Sequence, residues 1–297
     1  MITEIAPAKI NLYLHVGALR RDRLHDLESV FVFADAGDVI SAAPSSGLSL
    51  EIAGPFAGAL TREPVDKNLV MRAARLLKEK AGVDRGARLI LDKRLPIASG
   101  VGGGSADAAA ALRALMRLWR VDMPVSELKR LAFTLGADVP ACLDQSPVHV
   151  SGAGEAVEKG PVLPPLWVCL VNPNAPMPTG PIFRAFDAAN PAPPCPERRA
   201  PAGRRYFDVT WLMENSRNDL QPIAIRRNCV IQDAIDRLSR RPGALAARMS
   251  GSGATVFGLY SSAGAAARAA QEMAGRHWWS MSARIHGASG GSPGVVC

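Results

Sequence analysis

The apolar residues in the first third of the chain follow the two-residue period of β-strands. Within residues 10–16, Ile, Leu, Leu and Val alternate with Asn, Tyr and His, which predicts a strand with one buried and one exposed face. The segments 29–35, 38–43 and 48–52 are rich in Val, Ile, Phe and Leu and are separated by Gly, Pro and Ser. They predict three further strands.

The period changes to that of helices beyond residue 68. Apolar residues three or four apart predict helices around residues 69–77, 112–119, 126–135, 230–240 and 263–275. Short apolar runs predict strands over residues 87–92, 165–173 and 254–260. The Pro-rich, basic segment Asn190–Arg205 predicts a surface loop or a linker. Because strands dominate the first third and the rest is mixed, we expect an α+β fold in two lobes.

Composition narrows the class of protein. The 297 residues, 48% hydrophobic and 21% charged, are typical of a globular chain with one large domain or two moderate ones. A formal net charge of +8 indicates a solvated basic surface for most of the arginines, and it is also compatible with nucleic acid, a membrane surface or an anionic small molecule as a partner. The arginines are dispersed and aromatic residues make up only 5%, however, which disfavours nucleic acid.

Cysteine usage and hydropathy bear on the compartment. The five cysteines include no CxxC pair, which predicts free thiols in a reducing compartment. No basic region precedes an apolar run at the N-terminus, and no run of eighteen apolar residues occurs. We therefore expect a cytoplasmic protein with no membrane partner, and its oligomeric state stays open.

A glycine-rich loop lies between a predicted strand and a predicted helix, in the segment LPIASGVGGGSADAAAALRAL of residues 95–115. Glycines let the backbone approach a ligand with several N–H groups, and the helix adds its own free N–H groups and positive dipole end. We expect a polyphosphate here, with Ser105 as the helix N-cap and Asp107 in the first turn. No Lys follows the glycines as in a Walker A loop, and Ser105 stands where a dinucleotide fingerprint needs Gly. Taken alone, the loop is equally compatible with a tightly packed turn.

Three segments in order resemble those of the GHMP kinases, the family that includes galactokinase, homoserine kinase and mevalonate kinase. They are APAKINLYLHV near the start, LPIASGVGGGSADA in the middle and RMSGSGATVFGLY near the end. The resemblance spans almost the whole chain. It implies a two-lobed fold, with an N-terminal ATP-binding lobe similar to domain 2 of ribosomal protein S5 over residues 1–155 and a C-terminal substrate lobe over residues 156–297.

Further segments resemble one branch of this family: RLHDLESVFVFADAGD, DKNLVMRAARLL, FTLGADVPACL and PTGPIFRAF. The resemblance implies that ATP phosphorylates the 2-hydroxyl of a cytidine-diphosphate-linked methylerythritol, giving the 2-phosphate and ADP, in the non-mevalonate isoprenoid pathway. The expected partners are therefore that small molecule and ATP. Mg²⁺ is expected from the chemistry of phosphoryl transfer, although no ligand set is readable in the sequence.

The resemblance also implies which residues hold ATP. The phosphate cradle would consist of Pro96, Ile97, Ala98, Ser99, Gly100, Val101, Gly102, Gly103, Gly104, Ser105 and Ala106. Asn68 and Leu69 stand where the family lines its adenine pocket. The turn Ser250–Gly253 is expected to close the site beside the phosphate loop.

For the reaction itself, a carboxylate within reach of the acceptor hydroxyl can take its proton. The resemblance places Asp138 at the family's catalytic aspartate and Lys9 as its partner, where the opposite charge would favour the ionised carboxylate. By themselves, Asp138 is compatible with a turn residue and Lys9 with a solvated charge on a strand edge.

Five residues are expected to bind the acceptor. The side chain of Asn11 lies on the same face of its strand as that of the lysine two positions earlier. We expect it to hydrogen-bond the polyol. By resemblance, His25 reads the cytosine edge, Phe183 stacks on cytosine and Thr179 lies near the polyol. Leu24 departs from the family, which often has Tyr at this position; leucine supplies an apolar wall without a π-face. Without the resemblance, His25 would be assigned to a surface loop and Phe183 to the core.

Three alternatives stay open. The first is another GHMP kinase of the homoserine, mevalonate or sugar type, against which the set of His25, Thr179 and Phe183 argues. The second is a non-catalytic nucleotide-binding relative, against which the presence of both Lys9 and Asp138 argues. The third is a nucleic-acid-binding protein, which only the net charge favours.

Overall fold

The computed structural model describes residues 1–190, 193, 208–275 and 277–287. The predicted loop Asn190–Arg205 therefore lies outside the described residues except at positions 190 and 193. The first half of the chain forms β1 (Ile2–Leu19), β2 (His25–Ser45), β3 (Leu48–Ala53), α1 (Ala57–Leu60), α2 (Leu69–Lys80), β4 (Gly86–Asp92), α3 (Gly103–Trp119), α4 (Val125–Leu135), α5 (Val139–Asp144) and β5 (Val148–Gly152). The second half forms β6 (Ala156–Lys159), β7 (Trp167–Asn172), α6 (Thr179–Ala189), α7 (Val209–Glu214), α8 (Gln221–Arg227), α9 (Val230–Ser239), β8 (Ala244–Met249), β9 (Val256–Tyr260), α10 (Ala263–Ala274) and β10 (Trp279–Arg284).

The chain divides into two compact units, each built from non-contiguous segments. Unit 1 consists of residues 1–9, 36–97 and 102–144, and unit 2 of residues 10–35, 98–101 and those from 145 onward. Strands β1 and β2 are each divided between the two units, with one part of the strand in unit 1 and the other part in unit 2. The mixed α+β class expected from the sequence is confirmed, whereas the division at residue 155 stays a prediction.

Unit 1 packs helices against a small mixed sheet. The C-terminal half of β2 pairs antiparallel with β4, and β4 pairs parallel with β3. Helix α3 packs against α2 and α5, and its alanines at positions 106 and 108–111 are fully buried. Small side chains there allow close helix packing around the apolar residues Leu77, Leu89, Leu91, Leu112 and Leu115.

Unit 2 contains an antiparallel sheet in the order β10-β7-β9-β8. Helices α9 and α10 pack on this sheet and bury Leu238 and Met273 with Val256 of β9 in one apolar core. In the same unit, the N-terminal half of β2 pairs antiparallel with β5, and β5 pairs antiparallel with β6. Among the residues with assigned structure, no helix has the length and hydrophobicity needed to cross a membrane.

The prediction of a half-exposed first strand is wrong, because β1 is buried on both faces from Ala6 to Val16. Its polar side chains on the second face meet polar partners in unit 2. The Tyr13 hydroxyl donates to Glu28 Oε1 over 2.6 Å, and the Asn11 amide donates to Ser29 Oγ over 3.0 Å. Polar groups are tolerated in a core when such hydrogen bonds replace water, so alternation alone could not reveal the second buried face.

The two strands predicted over residues 29–35 and 38–43 are instead one strand, β2. Gly37, which indicated a break, lies inside it. A Cβ at this position would lie 1.9 Å from the carbonyl oxygen of Ala6. The glycine therefore permits a close approach to β1 within unit 1 rather than interrupting the strand.

This close approach makes a testable prediction. Gly37→Ala should destabilise the protein by about 3 kcal/mol or more, because the new methyl group overlaps a backbone carbonyl that no rotamer change can move. The measurement is the free energy of unfolding in urea. Gly47→Ala is the matched control, since a Cβ there meets no atom within 4 Å; equal stability of the two variants would contradict the assignment.

Candidate active site

The first part of the glycine loop, residues 98–101, packs against the turn 250–253 within unit 2. Ser250 Oγ donates to the carbonyl of Gly100 over 3.0 Å, and the backbone N–H of Thr255 donates to the carbonyl of Ser99 over 3.0 Å. Gly100 has φ +78°, and a Cβ on it would lie 2.4 Å from the Ser250 carbonyl oxygen. Only glycine fits at this position.

The second part of the loop forms the N-terminus of α3 in unit 1. The expectation that Ser105 caps this helix is wrong. The helix begins at Gly103, after Gly102 in the left-handed conformation (φ +64°), and the N–H of Ala106 donates to the Gly102 carbonyl over 2.8 Å. Because no side chain caps this end, the N–H groups of residues 103–105 are available to an anion.

Two buried lysines lie against these glycines. A Cβ on Gly102 would lie 2.9 Å from Lys9 Cε, and a Cβ on Gly103 would lie 2.9 Å from Lys93 Nζ. The free N–H groups of α3 therefore lie beside two ammonium groups in unit 1, each of which also has a carboxylate partner. The uncapped N-terminus of the helix itself favours phosphate oxygens.

Lys93 forms a buried ionic cluster that the sequence did not indicate. Its Nζ lies 2.5 Å from Asp38 Oδ2 and 2.7 Å from Asp107 Oδ2. Asp38 Oδ1 also accepts the backbone N–H groups of Arg94 and Leu95, over 2.5 and 2.8 Å. Asp107 was expected in the first turn; it lies beyond that turn, and its Oδ1 is buried with no hydrogen-bond partner among the described residues.

The cluster places two carboxylates around one ammonium, and the pKa values of Asp107 and Lys93 shift accordingly. Burial raises the pKa of Asp107 to about 7, against the lowering effect of Lys93 and with a further increase from Asp38. Burial lowers the pKa of Lys93, but Asp107 and Asp38 outweigh burial and the net shift is upward. Lys93 therefore stays charged near neutral pH, and Asp107 is the group that takes up a proton.

Lys9 and Asp138, predicted to act together, are in contact within unit 1. Lys9 Nζ lies 2.9 Å from Asp138 Oδ2, with the lysine side chain 5% exposed and the aspartate side chain 34% exposed. Asp138 immediately precedes α5. The alternative of a solvated edge lysine is wrong, because β1 buries Lys9 and leaves its charge facing a carboxylate that solvent still reaches.

Asn11, two residues after Lys9 on β1, is held firmly in unit 2. Its backbone N–H donates to Ser250 Oγ over 3.2 Å, and its side-chain amide donates to Ser29 Oγ over 3.0 Å. The Ser29 hydroxyl in turn donates to the Tyr13 carbonyl over 2.5 Å. These contacts fix the orientation of the Asn11 amide.

His25 lies in an aromatic cluster of unit 2 rather than in an exposed loop. Its ring centre is 4.9 Å from that of Phe183 and 6.4 Å from that of Phe186. Its Nε2 lies 2.7 Å from Asp187 Oδ1. Helix α6 thus presents two aromatic rings and one carboxylate to a single buried imidazole.

Other residues expected at the acceptor lie around α6 and before His25. Leu24 directly precedes His25 and is 39% exposed. Thr179 begins α6, and its Oγ1 lies 3.0 Å from Ser252 Oγ in the turn 250–253. Phe183 is half-buried and packs on the core of unit 2, so its assignment to the core holds in part and its stacking on cytosine stays a prediction.

Asn68 and Leu69, expected near adenine, begin helix α2. The Asn68 side chain accepts the N–H of Val70 over 2.9 Å and so caps the helix. Leu69 Cδ1 lies 3.4 Å from the position of a Cβ on Gly104. The two residues therefore lie next to the N-terminus of α3 in unit 1.

Several residues of these clusters were missed by sequence reasoning: Ser29, Asp38, Lys93 and Asp187. Their contacts are made across sheets or between distant elements, which no local pattern records. Asp187 is the exception, because it follows Phe183 by four residues on α6. A prediction of that helix would have placed both side chains on one face.

Two segments of the chain match the models of two domains that belong to one protein family. Residues 68–146 match the GHMP kinases N terminal domain, and residues 207–278 match the GHMP kinases C terminal domain. These matches define the class of protein as a GHMP kinase, which uses ATP to phosphorylate a small molecule.

Similar proteins narrow the class further. A relative from Paramagnetospirillum magneticum, named 4-diphosphocytidyl-2-C-methyl-D-erythritol kinase, is 45% identical over 94% of this chain and 97% of its own length. A relative of the same name from Rhodospirillum rubrum is 42% identical over 99% and 96% of the two chains. A crystal structure of 4-(cytidine 5'-diphospho)-2C-methyl-D-erythritol kinase superposes with a TM-score of 0.76 at 30% identity, covering 98% of this chain and all of that one. The chain therefore belongs to the 4-diphosphocytidyl-2-C-methyl-D-erythritol kinases of the GHMP family.

The buried cluster around Lys93 generates a prediction about pH. Since the pKa of Asp107 is raised in the folded protein, the folded state binds more protons near neutral pH than the unfolded chain does. The stabilisation from this proton is complete below the ordinary aspartate pKa and is lost as pH rises through about 7. Relative to Asp107→Asn, the wild-type protein should lose up to about 1.4 kcal/mol of unfolding free energy per pH unit as pH rises from about 5 to about 7, and the difference should level off above that pH.

The measurement is urea unfolding of the wild type and Asp107→Asn between pH 5.5 and pH 8.5. Asp144→Asn serves as control, because Asp144 pairs with Lys129 in unit 1 at a half-exposed position. Parallel pH profiles for the wild type and Asp107→Asn would contradict the raised pKa.

Proposed function

We propose that the protein transfers the γ-phosphoryl group of ATP to the 2-hydroxyl of 4-diphosphocytidyl-2-C-methyl-D-erythritol, giving the 2-phosphate and ADP in the non-mevalonate isoprenoid pathway. The observation that carries this proposal is the ion pair of Lys9 and Asp138. It occurs in a chain that is similar over nearly its whole length to kinases named for this substrate.

ATP, when bound, supplies the phosphoryl group, and the cradle for its phosphates is the loop Pro96–Ala106. The uncapped N–H groups of residues 103–105 would bind phosphate oxygens, because they are donors at the positive end of a 17-residue helix. The left-handed glycines and the absence of side chains bring the backbone close to the ligand. Asn68 and Leu69 would flank the adenine.

Mg²⁺ is part of the proposal, as it is in phosphoryl transfer generally. In the described part of the chain, no group of three or more His, Cys, Asp or Glu residues could hold a metal ion. Mg²⁺ commonly keeps several waters, and here it would be held mainly by the phosphates of the substrates with one or two protein oxygens. When bound, the ion neutralises charge on the phosphates.

At the acceptor hydroxyl, Asp138 would act as the general base. Its side chain is reached by solvent, whereas its partner Lys9 is almost fully buried. The lysine ammonium lies 2.9 Å from the carboxylate and holds it in place beside the phosphate loop. Lys9 also places positive charge close to Gly102 of the phosphate loop.

The cytidine part of the acceptor would be bound by the aromatic cluster of unit 2. Phe183 supplies a half-buried face for stacking on cytosine, and His25 supplies a ring nitrogen for its polar edge. Leu24 would cover the other face of the base as an apolar wall. Asn11 and Thr179 would hydrogen-bond the polyol, each with its orientation set by serine hydroxyls.

The cellular setting is also a proposal. A cytoplasmic reaction without a nucleic-acid or membrane partner is supported by the cysteine usage and by the dispersed arginines. The net charge of +8 suits two substrates that each carry a chain of phosphates.

The catalytic assignment is tested by Asp138→Asn. This change keeps the shape of the side chain but removes the base, so we expect kcat to fall roughly 100- to 10,000-fold with ATP affinity within about threefold of the wild type. Initial rates and ATP titration give the two quantities. Asp144→Asn is the matched control, since its side chain is also 34% exposed and also paired with a lysine. Near-normal turnover by Asp138→Asn would remove Asp138 from the mechanism.

The substrate assignment is tested by an ATP-consumption assay with Mg²⁺. We expect turnover with 4-diphosphocytidyl-2-C-methyl-D-erythritol and none with homoserine or mevalonate, because only the first has a cytosine for His25 and Phe183. Turnover of another alcohol alone would keep the kinase and discard the roles of those two residues. No turnover of any of them would leave a nucleotide-binding protein.

A further inference from the structure

The side chain of Asp187 makes a contact that the proposed function does not use. Its Oδ1 lies 2.7 Å from Nε2 of His25, and the aspartate side chain is 36% exposed while that of His25 is 7% exposed. A carboxylate only accepts hydrogen bonds. The proton in this contact therefore resides on Nε2 of the imidazole.

The contact determines what the other ring nitrogen can do. A neutral imidazole carries one proton, so a proton on Nε2 leaves a lone pair on Nδ1. Among the described residues, Nδ1 of His25 has no hydrogen-bond partner, and the only polar contact of the ring is the one to Asp187. The neighbouring rings of Phe183 and Phe186 have no polar group to offer it.

An acceptor at this position distinguishes two pyrimidines. Cytosine carries an amino group at C4, which donates hydrogen bonds, whereas uracil carries a carbonyl oxygen there, which only accepts them. The lone pair of Nδ1 matches the hydrogen of the cytosine amino group, whereas in uracil it would meet the lone pair of the carbonyl oxygen. A site built around a hydrogen bond rejects an analogue that lacks the matching group more strongly than an apolar pocket does.

We propose that Asp187 is a positioning residue that holds His25 in its Nε2-protonated tautomer, so that Nδ1 accepts a hydrogen bond from the cytosine amino group and the site selects cytidine over uridine. This inference rests on the proposed role of His25 in substrate binding. It adds a residue on α6 that touches the histidine and not the base, and it explains why the carboxylate lies four residues after the stacking Phe183.

Two variants separate this role from a general structural one. Asp187→Ala removes the acceptor and lets the neutral imidazole change its tautomer. Asp187→Asn removes the charge but keeps an oxygen that accepts the Nε2–H. Asp233→Ala is the matched control. Asp233 is a half-exposed carboxylate of unit 2 that pairs with Arg237, and both residues lie on α9 rather than on α6.

The experiment combines ¹⁵N NMR of the histidine ring nitrogens at pH 8 with calorimetric titration of cytidine diphosphate and uridine diphosphate. We expect the wild type, Asp187→Asn and Asp233→Ala to show the Nε2-protonated tautomer for His25 and to bind cytidine diphosphate at least tenfold more tightly than uridine diphosphate. Asp187→Ala should show mixed tautomers and a preference below about threefold. Its affinity for ATP, measured by the same calorimetry, should be unchanged.

Either of two results would overturn the inference: an unchanged His25 tautomer in Asp187→Ala, or an unchanged preference for cytidine diphosphate in that variant. A wild-type protein that binds both diphosphates equally would overturn it as well. Neither readout requires turnover. If the wild type fails to phosphorylate the methylerythritol compound, the proposed function fails, while the tautomer and the nucleotide preference are still measured independently.

Discussion

One buried ammonium group, that of Lys93, supports the start of the phosphate loop. It lies between the carboxylates of Asp38 and Asp107, and Asp38 also binds the next two backbone N–H groups of the chain. Burying three charged groups is costly unless they are paired. The cluster therefore requires β2, the end of β4 and the first turns of α3 to keep these positions relative to one another within unit 1.

The same cluster explains why a glycine stands at the start of helix α3. Because a Cβ at position 103 would lie 2.9 Å from Nζ of Lys93, any side chain there would displace the buried ammonium from its place in the cluster. The helix then begins without a side-chain cap, and its first N–H groups stay available. A structural ion pair and a set of free backbone donors are thus two consequences of one packing arrangement.

Strand β1 is a second place where buried polar side chains are held by specific partners. Buried on both faces, it carries its polar side chains against specific partners: Lys9 against Asp138 in unit 1, and Asn11 against Ser29 in unit 2. A polar residue in such a position has one low-energy orientation, because any other leaves a buried group without a hydrogen bond. Rigid, oriented polar groups are what a site for a polyol and its phosphoryl donor requires.

The sequence by itself determined the α+β class, the longer strands and helices, and the glycine loop before α3, because periodicity and glycine content are local properties. Through its resemblance to a family, it also paired Lys9 with Asp138. Short elements such as α5 and β6 were not predicted, since a few residues carry too little periodicity to be distinguished from a turn. The tertiary structure alone decided that Gly37 continues a strand, that Gly102 rather than Ser105 caps α3, and that Asp38, Asp107 and Asp187 hold a lysine and a histidine. These outcomes depend on atoms far apart in the chain, whose proximity and burial no local pattern encodes.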